Sequence, residues 1–246
     1  MYNPYSLEGK TILITGAASG IGKATSIECS KSGAKVVAVD MNAEGLSALM
    51  PQLEGEGHLS FEGNLCDAAF LEELGERTPA LDGVFLCAGV SDTTPVKFIT
   101  EEKIARVMDV NLVAPVLMLR QLLVRKKINK GASLVWMSSY GAEKVEPGLG
   151  IYAASKSAVN GIMKAYAKEL VSRKIRSNSI MPMMIRTELL STLGNISDKD
   201  WEKQEAMYPL GFGTPLDVAY AAIYLFSDAS RWITGTQIRM DGGSNL

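Results

Sequence analysis

Short apolar runs rich in β-branched residues recur along this chain with helical patterns between them, at residues 11–15, 36–40, 84–88, 134–138, 176–181 and 237–240. A strand with one wet face alternates apolar and polar residues. The run Val36-Val37-Ala38-Val39 does not alternate, as expected of a strand covered on both sides. Helical patterns fill the intervals, among them 101–126 and 152–172. Strand and helix in regular succession predict an α/β fold, a Rossmann-like doubly wound parallel sheet of about seven strands flanked by helices on both faces. The 246 residues contain no repeat or linker-like tract and are read as a single domain. The pattern changes at 187–209, where Leu189, Leu190, Leu193, Ile196, Trp201, Met207 and Tyr208 alternate with polar and turn residues. That segment is the expected substrate lid.

Charge excludes several partners. Lys plus Arg (25) nearly balances Asp plus Glu (27), so nothing draws the chain toward nucleic acid or an anionic membrane, and a small molecule is the expected ligand. Cys29, Cys66 and Cys87 are odd in number and lack C-x-x-C spacing, which argues against a disulfide framework and a metal site and for a cytoplasmic setting. The apolar run 113–119 stops at Arg120, short of the roughly 18 residues of a membrane span. No export signal is expected from the polar and acidic first ten residues. The lone His58, in a hairpin-like stretch before Phe61, is read as a surface residue.

After the first run comes Thr15-Gly16-Ala17-Ala18-Ser19-Gly20-Ile21-Gly22, followed by a helix expected to turn Ile21, Ala24 and Ile27 toward the sheet. Glycine suits those positions because the turn is tight and the backbone must come close to a pyrophosphate, which the helix N-terminus then binds. Asp40 stands 18 residues after Gly22 at the end of the second run, where a carboxylate accepts from adenosine ribose hydroxyls and repels a 2′-phosphate. Ala18, Ser19, Met41 and Asn42 offer no cation for that phosphate, so NAD is expected over NADP. Leu65 and Asp67, in Asn64-Leu65-Cys66-Asp67, are candidates for the adenosine end.

Tyr152-Ala153-Ala154-Ser155-Lys156 sets a phenol and an ammonium four residues apart at a helix start, on one helix face. A nearby lysine and an oxidised nicotinamide both favour phenolate, which makes Tyr152 a usable acid or base. Ser139, at the end of the preceding strand, lies where ligands gather in open α/β sheets and can donate to the oxygen that Tyr152 serves. Asn111 is a polar residue between Val110 and Leu112, and a buried amide must find partners.

On these residues the chain resembles the short-chain dehydrogenase/reductase family from Lys10 to Gly243. The family's T-G-x-x-x-G-x-G turn is matched by Thr15, Gly16, Gly20 and Gly22, and its Asn-Ser-Tyr-Lys tetrad by Asn111, Ser139, Tyr152 and Lys156. The resemblance implies hydride transfer between the nicotinamide and a carbonyl or secondary alcohol. It implies that Lys156 holds the nicotinamide ribose and lowers the pKa of Tyr152, while Asn111 positions a proton-relaying water. Ser19, Ile21, Ala88 and Gly89 fall in the cofactor-binding stretches, as do Pro182, Ile185 and Thr187. Two departures stand out. Leu86-Cys87-Ala88-Gly89 replaces the family's N-N-A-G, and Pro182-Met183 replaces its P-G.

Val90, Val145, Leu149, Met183 and Met184, with lid residues Leu189, Leu193 and Trp201, are the expected pocket walls, which suit a substrate with an apolar body. The layout is similar to 3-oxoacyl-carrier-protein reductases. Oxidation of a sugar, polyol or steroid hydroxyl is the alternative, and a non-catalytic NAD-binding sensor or scaffold is the alternative of another class. Arg125, Lys126, Lys127 and Lys130, with Arg173, Lys174 and Arg176, either cap helix ends or dock an acidic carrier protein. The resemblance also implies a homotetramer or homodimer.

Overall fold

The computed structural model describes residues 3–187 and 198–245. Its sheet has seven strands: β1 (Thr11–Thr15), β2 (Lys35–Asp40), β3 (Leu59–Glu62), β4 (Leu81–Leu86), β5 (Ile128–Met137), β6 (Arg176–Pro182) and β7 (Gln237–Met240). Their order is β3-β2-β1-β4-β5-β6-β7, every pair parallel, so the sheet reverses direction between β1 and β4. A crevice opens at such a switch beyond the strands' carboxyl ends. The strand that the sequence hides is β3. It is an edge strand in which Phe61 alone is buried, too little apolar signal to announce itself.

The helices are α1 (Gly20–Lys31), α2 (Ala43–Leu49), α3 (Ala68–Arg77), α4 (Glu101–Met108), α5 (Ala114–Val124), α6 (Gly150–Leu170), α7 (Asp198–Glu205) and α8 (Pro215–Phe226). Each strand feeds both faces by its period of two. Ile12, Ile14, Val36, Ala38 and Phe85 pack on the α1 and α8 side, while Leu13, Val37, Val39, Val84 and Trp136 join a second core with residues of α3, α5 and α6. Burial of such side chains stabilises by about 1.5–3 kcal/mol each.

The buried positions of α1 differ from expectation. They are Gly22, Thr25, Ser26, Cys29 and Ser30, whereas Ile21, Ala24 and Ile27 are only half-buried. Small polar residues can be buried here because Thr25 and Ser26 donate back to the carbonyls of Ile21 and Gly22, at 2.8 and 2.9 Å. The expected long helix at 101–126 is two helices joined by a π turn, Asp109–Val113, which carries Asn111. By length and composition alone, Glu101–Val124 would pass for a membrane span, with 39% of its window buried. Here Val107, Met118, Leu119 and Leu122 are core.

His58 is not a free surface group. It is half-buried, its Nδ1 accepts from the Val36 amide at 3.0 Å, and Nε2 lies 3.0 Å from the Glu54 carbonyl, so the ring ties the β3 edge to β2. Asp67 is committed to the N-cap of α3, accepting from the Ala69 amide at 2.9 Å. Much of the basic cluster is similarly occupied. Arg125 pairs with Glu72 and Glu76, Lys127 donates to the Glu76 carbonyl, and Arg176 donates to Leu225. Lys126 and Lys174 end their helices in the left-handed region, at φ 56° and 57°. These cations gather where β5 and β6 begin, and β5 runs ten residues, about 30 Å, from there to the crevice.

Candidate active site

The first turn is built around absent side chains. A Cβ on Gly22 would lie 2.0 Å from the Gly16 carbonyl oxygen, and one on Gly16, itself at φ +69°, would lie 3.1 Å from the backbone of Ala88. Ser19 occupies the N-cap of α1 in extended backbone but makes no capping hydrogen bond, and the first turn holds no acidic residue. The amides of that turn are therefore left for an anion, which suits the pyrophosphate of a dinucleotide. The strand end facing it is held by Thr15, whose hydroxyl donates to the Phe85 carbonyl at 3.2 Å and accepts from the amides of Cys87 and Ala88 at 3.0 and 3.1 Å. That bonding fixes the turn after β4 without the asparagine side chain that Cys87 replaces.

Asp40 is aimed at the same turn. Its two oxygens accept from the Ala18 and Asn42 amides, both at 3.0 Å, which orients the carboxylate and leaves acceptor capacity for a ligand. Asn42 caps α2, its Oδ1 accepting from the Gly45 amide at 3.0 Å. Leu65 is half-buried against the second core and does not reach the crevice lining.

A cleft of about 370 Å³ brings most of the candidates together. Gly16, Ser19, Gly20, Ile21 and Gly22 line one end, Ala88, Gly89, Pro182, Ile185 and Thr187 the middle, and Ser139, Tyr152 and Lys156 the other. A larger open hollow beside it, bounded by Lys23, Ile27, Arg186 and Leu216, holds none of the reacting groups. Asn111 sits behind the cleft. Its amide donates to the Val90 carbonyl and the Ser155 hydroxyl at 2.9 and 3.0 Å and accepts from the Val90 amide at 2.8 Å, which pins the loop after β4. Gly89 keeps open the gap between them, since its Cβ would lie 3.1 Å from Asn111 Oδ1 and 3.3 Å from Lys156 Nζ.

Tyr152 and Lys156 meet as their spacing requires, with Nζ 5.7 Å from the phenol ring centre and donating to the Met137 carbonyl at 2.9 Å. Ser139 accepts from the Gly141 amide at 3.0 Å, and its hydroxyl neighbours the Tyr152 phenol and favours its ionised form. The electrostatics differ from expectation. Burial pushes the Tyr152 phenol above its usual range, the Ser139 hydroxyl opposes that in part, and Cys87 adds to it. Lys156 is driven down to about 8 by its own burial, so at that pH it is half neutral and favours phenolate only weakly. Among the protein's own groups, then, burial rather than the lysine sets the phenol.

The walls are less apolar than expected. Val90, Leu149, Met183 and Met184 line the cleft, but Val145 is 55% exposed and outside it, and Lys144 and Glu146 take its place. Met183 donates its amide to Met240 at 2.9 Å and its sulfur accepts from Ser244 at 3.3 Å, so it is held toward the C-terminal tail. Leu189 and Leu193 lie outside the described residues. Trp201 stacks edge-on with Phe212, 6.1 Å between ring centres.

A parallel sheet whose strand order reverses, with an anion-ready turn, a carboxylate beside that turn and a buried phenol at its carboxyl end, is the build of a dinucleotide-dependent oxidoreductase. A family profile described as enoyl-(acyl carrier protein) reductase matches residues 16–245. The chain is 37% identical to the 3-oxoacyl-(acyl-carrier-protein) reductase FabG of Thermotoga maritima, over 96% of this chain and 98% of that protein. It is 33% identical to the D-threitol dehydrogenase of Mycolicibacterium smegmatis, over 98% and 95%. A solved short-chain type dehydrogenase/reductase from Mycobacterium ulcerans superposes with a TM-score of 0.88 at 30% identity, covering 97% of this chain and 90% of that one. The chain belongs to the short-chain dehydrogenase/reductase family and is an oxidoreductase of hydroxyl and carbonyl groups, similar to both FabG and polyol dehydrogenases.

Proposed function

We propose that this protein transfers a hydride between NAD and a secondary alcohol or ketone, with Tyr152 moving the proton. The observation that carries the reading is the convergence of Ser139, Tyr152 and Lys156 in the cleft that begins at the uncapped turn of α1. The dinucleotide supplies or accepts the hydride and, when oxidised, a positive charge beside the phenol. Ser139 donates to the substrate oxygen as charge grows there, Tyr152 gives or takes that oxygen's proton, and Lys156 holds the nicotinamide ribose. Asn111 serves by fixing Val90 and the polar gap beside Gly89. Of the expected lid at 187–209, residues 188–197 lie outside the described residues, and the compartment is the cytoplasm. Incubation with NAD and a panel of secondary alcohols, followed by the absorbance of reduced nicotinamide, tests this. Steady reduction supports it, and a protein that binds NAD but reduces none with any substrate is a sensor instead.

A cationic nicotinamide favours phenolate at Tyr152 and disfavours ammonium at Lys156, so both responses release protons. With Lys156 near 8, NAD binding at that pH releases up to about half a proton from the lysine alone, and NADH binding releases less. Calorimetry in two buffers of different ionisation enthalpy reads this directly. Net proton uptake on NAD binding contradicts the arrangement.

NAD is preferred because Asp40 faces the adenosine ribose. Two unit charges about 4 Å apart repel by ~1–4 kcal/mol in water or a partly solvated site. Asp40→Asn keeps the shape and removes that repulsion, so the NAD over NADP ratio of kcat/KM falls about fivefold or more. An unchanged ratio removes Asp40 from cofactor choice.

The exposed apolar side chains along α4, the π turn and α5 support a homotetramer or homodimer. Ile104, Val113, Leu117 and Val124 remain between 42% and 66% exposed there.

A further inference from the structure

Two loops wall the substrate end of the cleft, 90–95 after β4 and 140–149 before α6, and the Thr94 amide joins them through the Gly148 carbonyl at 2.8 Å. Their charged side chains fall into two groups. Asp92 pairs with Arg106 at 2.9 Å and Glu143 pairs with Arg239 at 2.6 Å, and neither acid lines the cleft. Lys144, Glu146 and the hydroxyl of Ser91 all belong to residues that line it, and among the described residues none of the three side chains has a hydrogen-bond or ion-pair partner. The same loops that neutralise their outlying charges leave the cleft-lining ones unpaired. Burial pushes the Tyr208 phenol up, and Glu146 and Asp241 add to the shift.

We propose that Ser91, Lys144 and Glu146 recognise hydroxyls beside the reacting carbon, so that the substrate is a short, uncharged polyol or the corresponding hydroxyketone. An ammonium only donates, a carboxylate only accepts, and a serine hydroxyl does both. A vicinal diol donates and accepts at each carbon and so satisfies all three. An acyl chain offers these three side chains no hydrogen-bonding partner. Lys144 and Glu146 together carry no net charge, so neither an anionic nor a cationic body is favoured over a neutral one. This assignment rests on the dehydrogenase reading above and narrows it to one substrate class.

Steady-state kinetics of the full chain at saturating NAD test it with three alcohols: a tetritol, sec-butanol as its deoxy counterpart, and a hydroxybutyrate as an anionic one. The wild type is expected to favour the tetritol about tenfold or more in kcat/KM over either of the others. In Lys144→Met and Glu146→Gln the tetritol KM rises about tenfold, and the tetritol over sec-butanol ratio collapses toward one. Equal use of tetritol and sec-butanol by the wild type, with Tyr152→Phe inactive on both, overturns the polyol assignment and leaves the oxidoreductase reading standing. Variants with an unchanged tetritol KM overturn it as well. Failure of every alcohol, or turnover indifferent to Tyr152→Phe, overturns the underlying reading and this one with it.

Discussion

Replacing Tyr152 with Phe lowers kcat by about 10²–10⁴-fold and leaves NAD affinity within a few-fold of the wild type. The substitution removes one oxygen and keeps the ring against the Lys156 amine, so the packing of α6 is retained. Ser139 loses the neighbouring phenol oxygen but keeps its acceptor bond from Gly141. What disappears is the one group whose proton can follow the substrate oxygen as the hydride moves. Because that interaction belongs to the transition state, kcat and kcat/KM should fall together, with KM little changed. Single-turnover reduction of NAD separates the chemical step from product release, and titration calorimetry reports binding. A variant that keeps more than about a tenth of wild-type kcat removes Tyr152 from the proton transfer.

The site was legible in the sequence because its chemistry demands particular side chains at spacings that regular elements fix. Tyr152 and Lys156 share a helix face whatever surrounds them, and Gly16 and Gly22 answer a contact that no Cβ permits. Asn111 was signalled by being an amide among apolar neighbours, yet nothing announced the π turn that aims it. Irregular backbone erased the rest. In the 140–149 loop no period tells which residue faces inward, so Val145 was an expected wall where Lys144 and Glu146 are the real ones. The apolar residues of α1 misled for a different reason. Thr25 and Ser26 satisfy their hydroxyls within the helix and can be buried, which leaves Ile21 and Ile27 at the half-buried margin of the core. The electrostatics of Tyr152 were hidden too, since a sequence names the charged neighbour but not how thoroughly both partners are desolvated.

Gly22→Ala sets two effects of known sign against each other. Alanine in a helix is favoured over glycine by about 1 kcal/mol, so propensity alone predicts a more stable protein. Its Cβ, however, would stand 2.0 Å from the Gly16 carbonyl oxygen, 2.6 Å from that carbonyl carbon and 3.2 Å from the Ala17 amide. All three are backbone atoms, and Gly16 is itself pressed against Ala88, so no side chain can rotate away to relieve the contact. The start of α1 must shift, and overpacking of this kind costs about 1–3 kcal/mol. In a chain of this size each net kcal/mol lowers Tm by roughly 2–4 °C. The larger effect is on the ligand. The displaced amides are those left open for the pyrophosphate, so NAD affinity should fall by about 100-fold or more, with the loss seen equally for NADH because both forms share that group. Gly161 of α6 provides the contrast. Nothing lies within 4 Å of its added Cβ, so alanine there should raise Tm by a few degrees with NAD binding unaltered. If Gly22→Ala behaved like Gly161→Ala, the close approach of α1 to the first turn would not be what holds the dinucleotide.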